Sequence, residues 1–197
     1  MDPGSVSGVV VTHLHGDHFG GLPFLVLDGQ FSRRTQPLHV LGPPGTGERL
    51  WAAMEVLFPG SSTVQHAFEL QVIELVPDGT PAQLGDAQVR GWQVEHASGA
   101  PSLGVRVDLD DVAFGYSGDT AWTPALRSAA AGTTLFAVEA YTYDEPVPYH
   151  LDYATLREHA DELAADRLLL THMSSSMLGP LHDADHPATH DGLVIDL

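Results

Sequence analysis

Three histidines and one aspartate lie within the segment HLHGDH, at positions 13–18. In an extended segment alternate side chains share one side, so His13 and His15 point together, while Asp17 and His18 follow where the chain can turn. Imidazole and carboxylate groups are ligands of zinc, iron and manganese. A solvated histidine-rich turn is the alternative, but the preceding β-branched run and the following glycine pair favour a site loop. The segment therefore predicts part of a metal site.

Three further candidate ligands stand where predicted strands end. His96 closes QVEH, Asp119 closes FGYSGD, and His172 closes RLLLTH. Each has a structural alternative, since a lone histidine can satisfy a local hydrogen bond and Asp119 can cap the next helix. A sheet that brings strand ends together can nevertheless build a rigid site from distant segments. We therefore expect these three residues to complete the site begun by residues 13–18.

The apolar and β-branched runs predict the elements that position these residues. Predicted strands cover 8–12, 37–42, 68–76, 86–96, 102–109, 112–119, 134–140, 167–172 and 192–197. Predicted helices follow a loop within 17–31 and cover 47–58, 122–131 and 154–166. Strands that alternate with helices and include hairpins indicate a layered α/β domain with mixed sheets. The length favours a single domain over residues 1–197.

Composition excludes several kinds of protein. The chain has no cysteine, so neither disulfides nor thiolate metal sites are available. The formal net charge is −18, and the eight basic residues are scattered arginines, which makes a long nucleic acid an unfavourable partner. No apolar run is long enough to span a membrane, and the first residues do not resemble a signal peptide. We expect a soluble cytoplasmic protein.

Two other segments attract attention but predict no site. GPPGTGER (42–49) fits the first part of a phosphate-binding loop, but Glu48 and Arg49 replace the Lys and Ser/Thr that bind phosphate and metal there. We interpret it as the turn into the helix 47–58. LHDADHPATHDG (181–192) is rich in His and Asp, yet its Pro and Ala content favours a polar surface loop.

The motifs HLHGDH, EHASGAPSLGVR, YSGDT and LLLTHMS resemble, in this order, those of the metallo-β-lactamase fold, in its ribonuclease Z-like branch of phosphodiesterases. The resemblance runs from about residue 8 to the end of the chain. It implies an αββα four-layer sandwich of two mixed β-sheets with two metal ions at one edge. Zinc is the usual metal, and manganese and iron are the alternatives for an all-His/Asp site. The resemblance implies that His13, His15 and His96 bind one metal, that Asp17, His18 and His172 bind the other, and that Asp119 bridges them.

Two further residues match the branch. His150, in YHLDY, corresponds to a catalytic histidine near the leaving group, and Glu139, in FAVEAY, to the carboxylate that orients it. A charge inside an apolar strand also needs a partner on physical grounds. The implied reaction is hydrolysis of a phosphodiester by a hydroxide that bridges the metals. Asp17 would take or orient the hydroxide proton, and His150 would protonate the departing oxygen.

The sequence departs from the family in two respects. Only 22 residues separate His96 from Asp119, which leaves room for one hairpin but not for the arm with which ribonuclease Z binds transfer RNA. Together with the acidity, this favours a small-molecule ester substrate. The family also has strands before the histidine motif, so we expect an N-terminally shortened fold. The resemblance implies a homodimer, although the sequence indicates no interface.

Two other functions remain open from the sequence. The same kind of metal centre attacks other electrophiles, so a lactonase, thioesterase or arylsulfatase is an alternative enzyme. A metal-binding protein without turnover, impaired by the missing strands, is the alternative outside enzymes.

Overall fold

The computed structural model describes residues 2–197, which form two β-sheets flanked by helices. The smaller sheet contains β1 (Gly8–Val10), β2 (Leu38–Gly42) and β3 (Leu70–Glu74) in that order, and both pairs are parallel. Parallel neighbours require a crossover connection, and helices supply it here. The two connections contain α1 (Gly16–Phe19) with α2 (Leu22–Phe31), and α3 (Thr46–Leu57).

The larger sheet has six strands in sequence order. They are β4 (Ala82–Leu84), β5 (Ala87–Val94), β6 (Ser102–Leu109), β7 (Val112–Tyr116), β8 (Leu135–Glu139) and β9 (Leu168–Thr171). The pairs from β4 to β7 are antiparallel, and β7–β8 and β8–β9 are parallel. The remaining helices are α4 (Ala125–Ala130), α5 (Tyr153–His159) and α6 (Ser175–Leu178). Asp152 begins α5 as its N-cap, because its carboxylate accepts from the backbone N–H of Thr155.

Three apolar cores lie between four layers. The first packs α2 and α3 against the smaller sheet through residues such as Val26, Val40 and Leu50. The second lies between the two sheets and includes Leu41 and Leu103. The third packs α4, α5 and α6 against the larger sheet. The order of layers is therefore helices, sheet, sheet, helices, as the sequence predicted.

The predicted α/β class with two sheets is confirmed, with differences in detail. The larger sheet is mixed as expected, whereas the smaller one is parallel throughout its described strands. β4 was not predicted, because three residues are too short for a clear alternating pattern.

The expected strand at 192–197 is wrong. These residues are irregular, and Val194 is 84% exposed. A further strand would have to pair with the open edge of β9, but Ala188 already occupies part of that edge through an isolated bridge to Leu170. The apolar run GLVIDL therefore passes over the surface without pairing.

The two segments rich in glycine or histidine behave as loops. At the start of α3, Gly45, which is its N-cap, and Gly47, in its first turn, donate their backbone N–H groups to Oε1 of Glu74, at 3.0 and 3.3 Å. A carboxylate of the protein itself thus takes the place that phosphate would need. Residues 181–192 form a 3-10 turn, Leu181–Asp183, and irregular chain. Among residues 2–197, no helix combines the length and the apolar character that crossing a membrane requires.

The core between the sheets yields a stability prediction. Leu103 is fully buried there. Its truncation leaves a cavity, because the two sheets cannot move together to fill the space. We expect Leu103→Ala to lower the free energy of unfolding by about 2–5 kcal/mol. Urea unfolding in a chelating buffer, which removes any contribution of bound metal, measures this loss.

Val194→Ala is the matched control, because this residue is 84% exposed and its truncation should change stability by no more than about 0.5 kcal/mol. Equal effects of the two substitutions would contradict the assignment of Leu103 to a core between the sheets.

Candidate metal centre

The chemistry-bearing side chains meet at one edge of the two sheets. The segment 13–18 follows β1, His96 follows β5, Asp119 follows β7 and His172 follows β9. Glu139 is the last residue of β8. The side chains carried at the ends of five strands thus meet in one place. Among these strands, β7, β8 and β9 are parallel neighbours, so their carboxyl ends lie at the same edge of the sheet.

Asp119 lies at the centre of this cluster and is only 3% exposed. Its Oδ2 atom lies close to the Nε2 atoms of four histidines. The distances are 3.3 Å to His18, 3.5 Å to His172, 3.7 Å to His13 and 4.0 Å to His96. A single carboxylate oxygen that lies near four imidazole nitrogens forms, together with them, a set of ligand atoms of the kind that binds metal ions.

Potential ligand atoms form four overlapping groups at or beside Asp119. In each group the atoms lie within 4.8 Å of one another. One group is His13, His15 and His96, and the other is Asp17, His18 and His172. A third group, His13, His18 and Asp119, connects the two. The fourth, Asp119, Glu139, His150 and His172, extends from the second group towards the two residues with a predicted catalytic role.

Two atoms in the cluster show that it fits a cation. Among residues 2–197, Nε2 of His13 and Oδ1 of Asp119 are buried and have no hydrogen-bond partner. A buried polar atom without a partner costs free energy, so native structures supply one. Burial, followed by the neighbouring His18, lowers the pKa of His13 to about 3, and its imidazole is therefore neutral. A neutral imidazole nitrogen and a carboxylate oxygen, both buried and both without a partner, are ligand atoms of the kind that bind a divalent metal.

Gly118 allows Asp119 to reach the centre. Its φ of +62° is in the left-handed region, and a Cβ atom there would lie 2.7 Å from the carbonyl oxygen of Leu103 and 3.0 Å from Cβ of Thr12. Any other residue would clash with backbone. Burial acts to raise the pKa of Asp119, but the hydrogen bond from His18 and the charges of His172 and His18 outweigh it and lower the pKa.

Hydrogen bonds to the outer nitrogens orient the histidines. Nδ1 of His13 lies 3.1 Å from Oγ1 of Thr12, and Nδ1 of His96 lies 3.0 Å from the carbonyl oxygen of Tyr149. A carbonyl oxygen can only accept, so Nδ1 of His96 donates to it, and Nε2 faces inwards, 3.1 Å from Nδ1 of His15. The positive φ of Tyr149, 67°, aims that carbonyl at His96.

Glu139 is fully buried and satisfies four donors. Its Oε1 accepts from Nδ1 of His150 at 2.5 Å and from Nδ1 of His172 at 2.8 Å. Its Oε2 accepts from the backbone N–H groups of Thr120 and Leu151. The hydrogen bond to Glu139 raises the pKa of both histidines. One carboxylate thus fixes a candidate metal ligand and the candidate proton donor together.

Tyr141 is a site residue that the sequence did not reveal. Its ring stacks on His150, with centroids 4.5 Å apart, and on His172, with centroids 5.6 Å apart. The imidazoles of His150 and His172 are themselves nearly parallel, at 14°. An aromatic residue two positions after a buried Glu is the only signal the sequence offers, and that signal is equally typical of a core residue.

All the residues singled out in the sequence as ligands or catalytic groups therefore lie in one cluster. Asp17 is the most accessible of them, with 69% of its side chain exposed and its Oδ2 3.4 Å from Nε2 of His18. His150 is 20% exposed. The residues of the tail 181–192 form no candidate metal group in the described part of the chain.

The four layers and the histidine–aspartate cluster at the sheet edge define the metallo-β-lactamase class of fold. The family model described as "Beta-lactamase superfamily domain" matches residues 2–173. The chain therefore belongs to this family, and its curated relatives named ribonuclease Z confirm the predicted similarity to that branch.

The relatives and solved structures define how far the likeness extends. A ribonuclease Z of Mycobacterium marinum is 32% identical over 137 residues, which are 64% of this chain and 49% of that protein. The metallo-β-lactamase fold protein YhfI of Bacillus subtilis superposes with a TM-score of 0.76 at 17% identity, covering 96% of this chain and 76% of that chain. The short form of human tRNase Z gives 0.71 at 23% identity, covering 89% and 75%. The chain thus spans about half the length of the curated relative it matches, and these structures support the fold alone.

The hydrogen bond between Thr12 and His13 generates a prediction on metal affinity. Thr12→Val preserves the shape of the side chain but removes the oxygen that orients the His13 imidazole. Loss of such an outer partner typically weakens metal binding about 10–100-fold, and we expect a fall in this range for zinc. Competition with a chromogenic zinc chelator measures it.

Thr63→Val is the control, because the Thr63 hydroxyl bonds only the nearby carbonyl of Gly60 in an exposed turn. Zinc affinity of Thr12→Val equal to that of Thr63→Val would show that Thr12 does not support a ligand.

Proposed function

We propose that the chain hydrolyses a phosphodiester with two bound divalent metal ions, zinc in the first place. His13, His15 and His96 would hold one ion, Asp17, His18 and His172 the other, and Asp119 would lie between them. The observation that carries this proposal is the position of Asp119, whose Oδ2 lies within 4.0 Å of four histidine nitrogens while its Oδ1 is buried without a partner.

Each part of the site then has a chemical task. When bound, the metals supply charge that polarises the phosphoryl group and lowers the pKa of water. Asp17 is the most exposed carboxylate of the cluster, and we assign it the task of accepting the proton of the attacking water. Nδ1 of His150 donates to Glu139, which raises the pKa of the imidazole and leaves Nε2 to deliver a proton to the departing oxygen.

A small substrate agrees better with the surface than a long nucleic acid does. The net charge of −18 repels a polyanion. The interval between His96 and Asp119 contains only the hairpin of β6 and β7, whose turn is Asp110-Asp111. Among residues 2–197, this interval contributes a single basic residue, Arg106, and it is bound to Asp108. We therefore propose a small phosphodiester, although the curated relatives are named as ribonucleases.

The role of His150 gives the sharpest test of this function. Bis(p-nitrophenyl) phosphate releases a good leaving group that needs little protonation, whereas diphenyl phosphate releases a more basic one. We expect zinc-dependent hydrolysis of both by the native chain, with activity lost on chelation and restored by zinc. His150→Ala should lower kcat for diphenyl phosphate by about 10²–10⁴-fold and kcat for the nitrophenyl ester much less, because a general acid contributes in that range only where the leaving oxygen needs a proton.

The control for this test is His182→Ala, because that side chain is 77% exposed and lies outside the cluster. Metal analysis of each variant separates loss of metal from loss of the acid. Absence of turnover of either ester by protein that carries two metals, or an equal loss on both esters in His150→Ala, would contradict the proposal.

Tyr141 gives a second prediction, on the orientation of the His150 imidazole. A stacked aromatic pair contributes about 1 kcal/mol beyond its buried area, which corresponds to roughly five- to tenfold in rate if it holds His150 in place. Tyr141→Phe keeps the ring and should leave kcat for diphenyl phosphate nearly unchanged. Tyr141→Ala should lower that kcat by this factor with little change in KM. An equal loss in Tyr141→Phe and in Tyr141→Ala would assign the effect to the hydroxyl rather than to the stack.

A further inference from the structure

We propose that the pocket beside His150 receives the leaving alcohol of the substrate and favours one that carries an ammonium group. This inference rests on the proposed hydrolysis and adds the chemical class of the leaving group. The pocket has a volume of about 460 Å³, and His150 is one of its lining residues. The residue assigned to protonate the departing oxygen therefore also borders a space that can hold the group attached to that oxygen.

The walls of this pocket are continuous with the metal centre. Glu95 directly precedes His96, and Ala121 follows two residues after Asp119. The two wall residues form an isolated antiparallel bridge, in which the N–H of Ala121 donates to the carbonyl of Glu95. Tyr149, another lining residue, accepts a hydrogen bond from His96 through its carbonyl. Three wall segments are thus fixed relative to candidate metal ligands, so a group in the pocket would be held in register with the reacting phosphorus.

The charge of the pocket is negative. Two carboxylates, Glu95 and Asp152, line it together with one basic side chain, His150, which is already bonded to the buried carboxylate of Glu139; no arginine is among the residues described as lining it. Asp152 is buried, and its two oxygens accept from the N–H and the hydroxyl of Thr155, both at 2.8 Å. The Glu95 side chain is exposed instead. Glu95 is therefore the carboxylate that can meet a ligand, and a second phosphate in the leaving group would be repelled by it.

The remaining walls suit a cation rather than a hydrogen-bond acceptor. Pro146 and Pro148 have no N–H to donate. Trp122 is held in place by a stack on His159, with centroids 4.1 Å apart and planes within 7°. An indole combined with a carboxylate is an arrangement that attracts an ammonium group. The overall charge of −18 adds a long-range attraction of the same sign.

Three methyl aryl phosphates test the proposal. Their leaving phenols carry a trimethylammonium, a cyano or a sulfonate group in the para position. Any difference in the acidity of these phenols is the same for every variant, so the change of the ratio between variants reports the charge in the pocket. We expect kcat/KM to fall in the order ammonium, cyano, sulfonate, with a ratio of the first to the last of about 10-fold or more at low salt. Added salt should reduce this ratio, because it screens exposed charges.

Two variants locate the effect. Glu95→Gln removes the carboxylate of the pocket and should reduce the ammonium-to-sulfonate ratio several-fold. Glu69→Gln removes the same charge from an exposed position before β3, far along the chain from the site, and should leave the ratio as in the native chain. The comparison separates the pocket from the general field of an acidic protein.

The outcomes distinguish a failure of the proposed hydrolysis from a failure of the proposed preference for an ammonium group. If metal-loaded protein hydrolyses none of the three esters, the proposed function fails. If it hydrolyses the cyano ester but shows the same kcat/KM for the ammonium and sulfonate esters, the function stands and the inference on the pocket is overturned. Equal reductions of the ratio by Glu95→Gln and Glu69→Gln would also overturn it.

Discussion

The carboxylate of Asp119 is the constraint on which the site depends. A carboxylate that is 3% exposed must be compensated, since an unpaired charge in the protein interior is very unfavourable. The compensation comes mainly from His18, which follows β1, and from His172, which follows β9, so it exists only when both sheets are assembled. Gly118 admits the carboxylate to this place because a side chain at that position would collide with the carbonyl of Leu103. Fold and site are therefore coupled through a single side chain.

Glu139 extends this coupling from the candidate metal ligands to the candidate proton donor. Because one oxygen accepts from both His150 and His172, a shift of either imidazole changes the hydrogen bond of the other. The other oxygen binds the backbone N–H groups of Thr120 and Leu151, which belong to the loops that carry Asp119 and His150. The single carboxylate of Glu139 thus holds the two imidazoles and the two loops in fixed positions relative to one another.

Much of this organisation could be predicted from the sequence. The strands around the motif residues have clear apolar or β-branched patterns, so the positions of His96, Asp119 and His172 at strand ends follow from local rules. The strand β4 could not be predicted because three residues show no clear alternation, and the irregular course of 192–197 could not be predicted because it depends on which sheet edge is already occupied. The sequence also could not predict the roles of Thr12, of Tyr141 and of the Tyr149 carbonyl. Each of these groups acts by orienting a histidine, and that orientation is set only by folding.

A crystal structure of zinc-loaded protein with anomalous diffraction at the zinc edge would test the central claim most directly. The account predicts two anomalous peaks per chain, one among His13, His15 and His96 and one among Asp17, His18 and His172, with Oδ2 of Asp119 between them. A single peak, or two peaks of which neither contacts Asp119, would contradict the account.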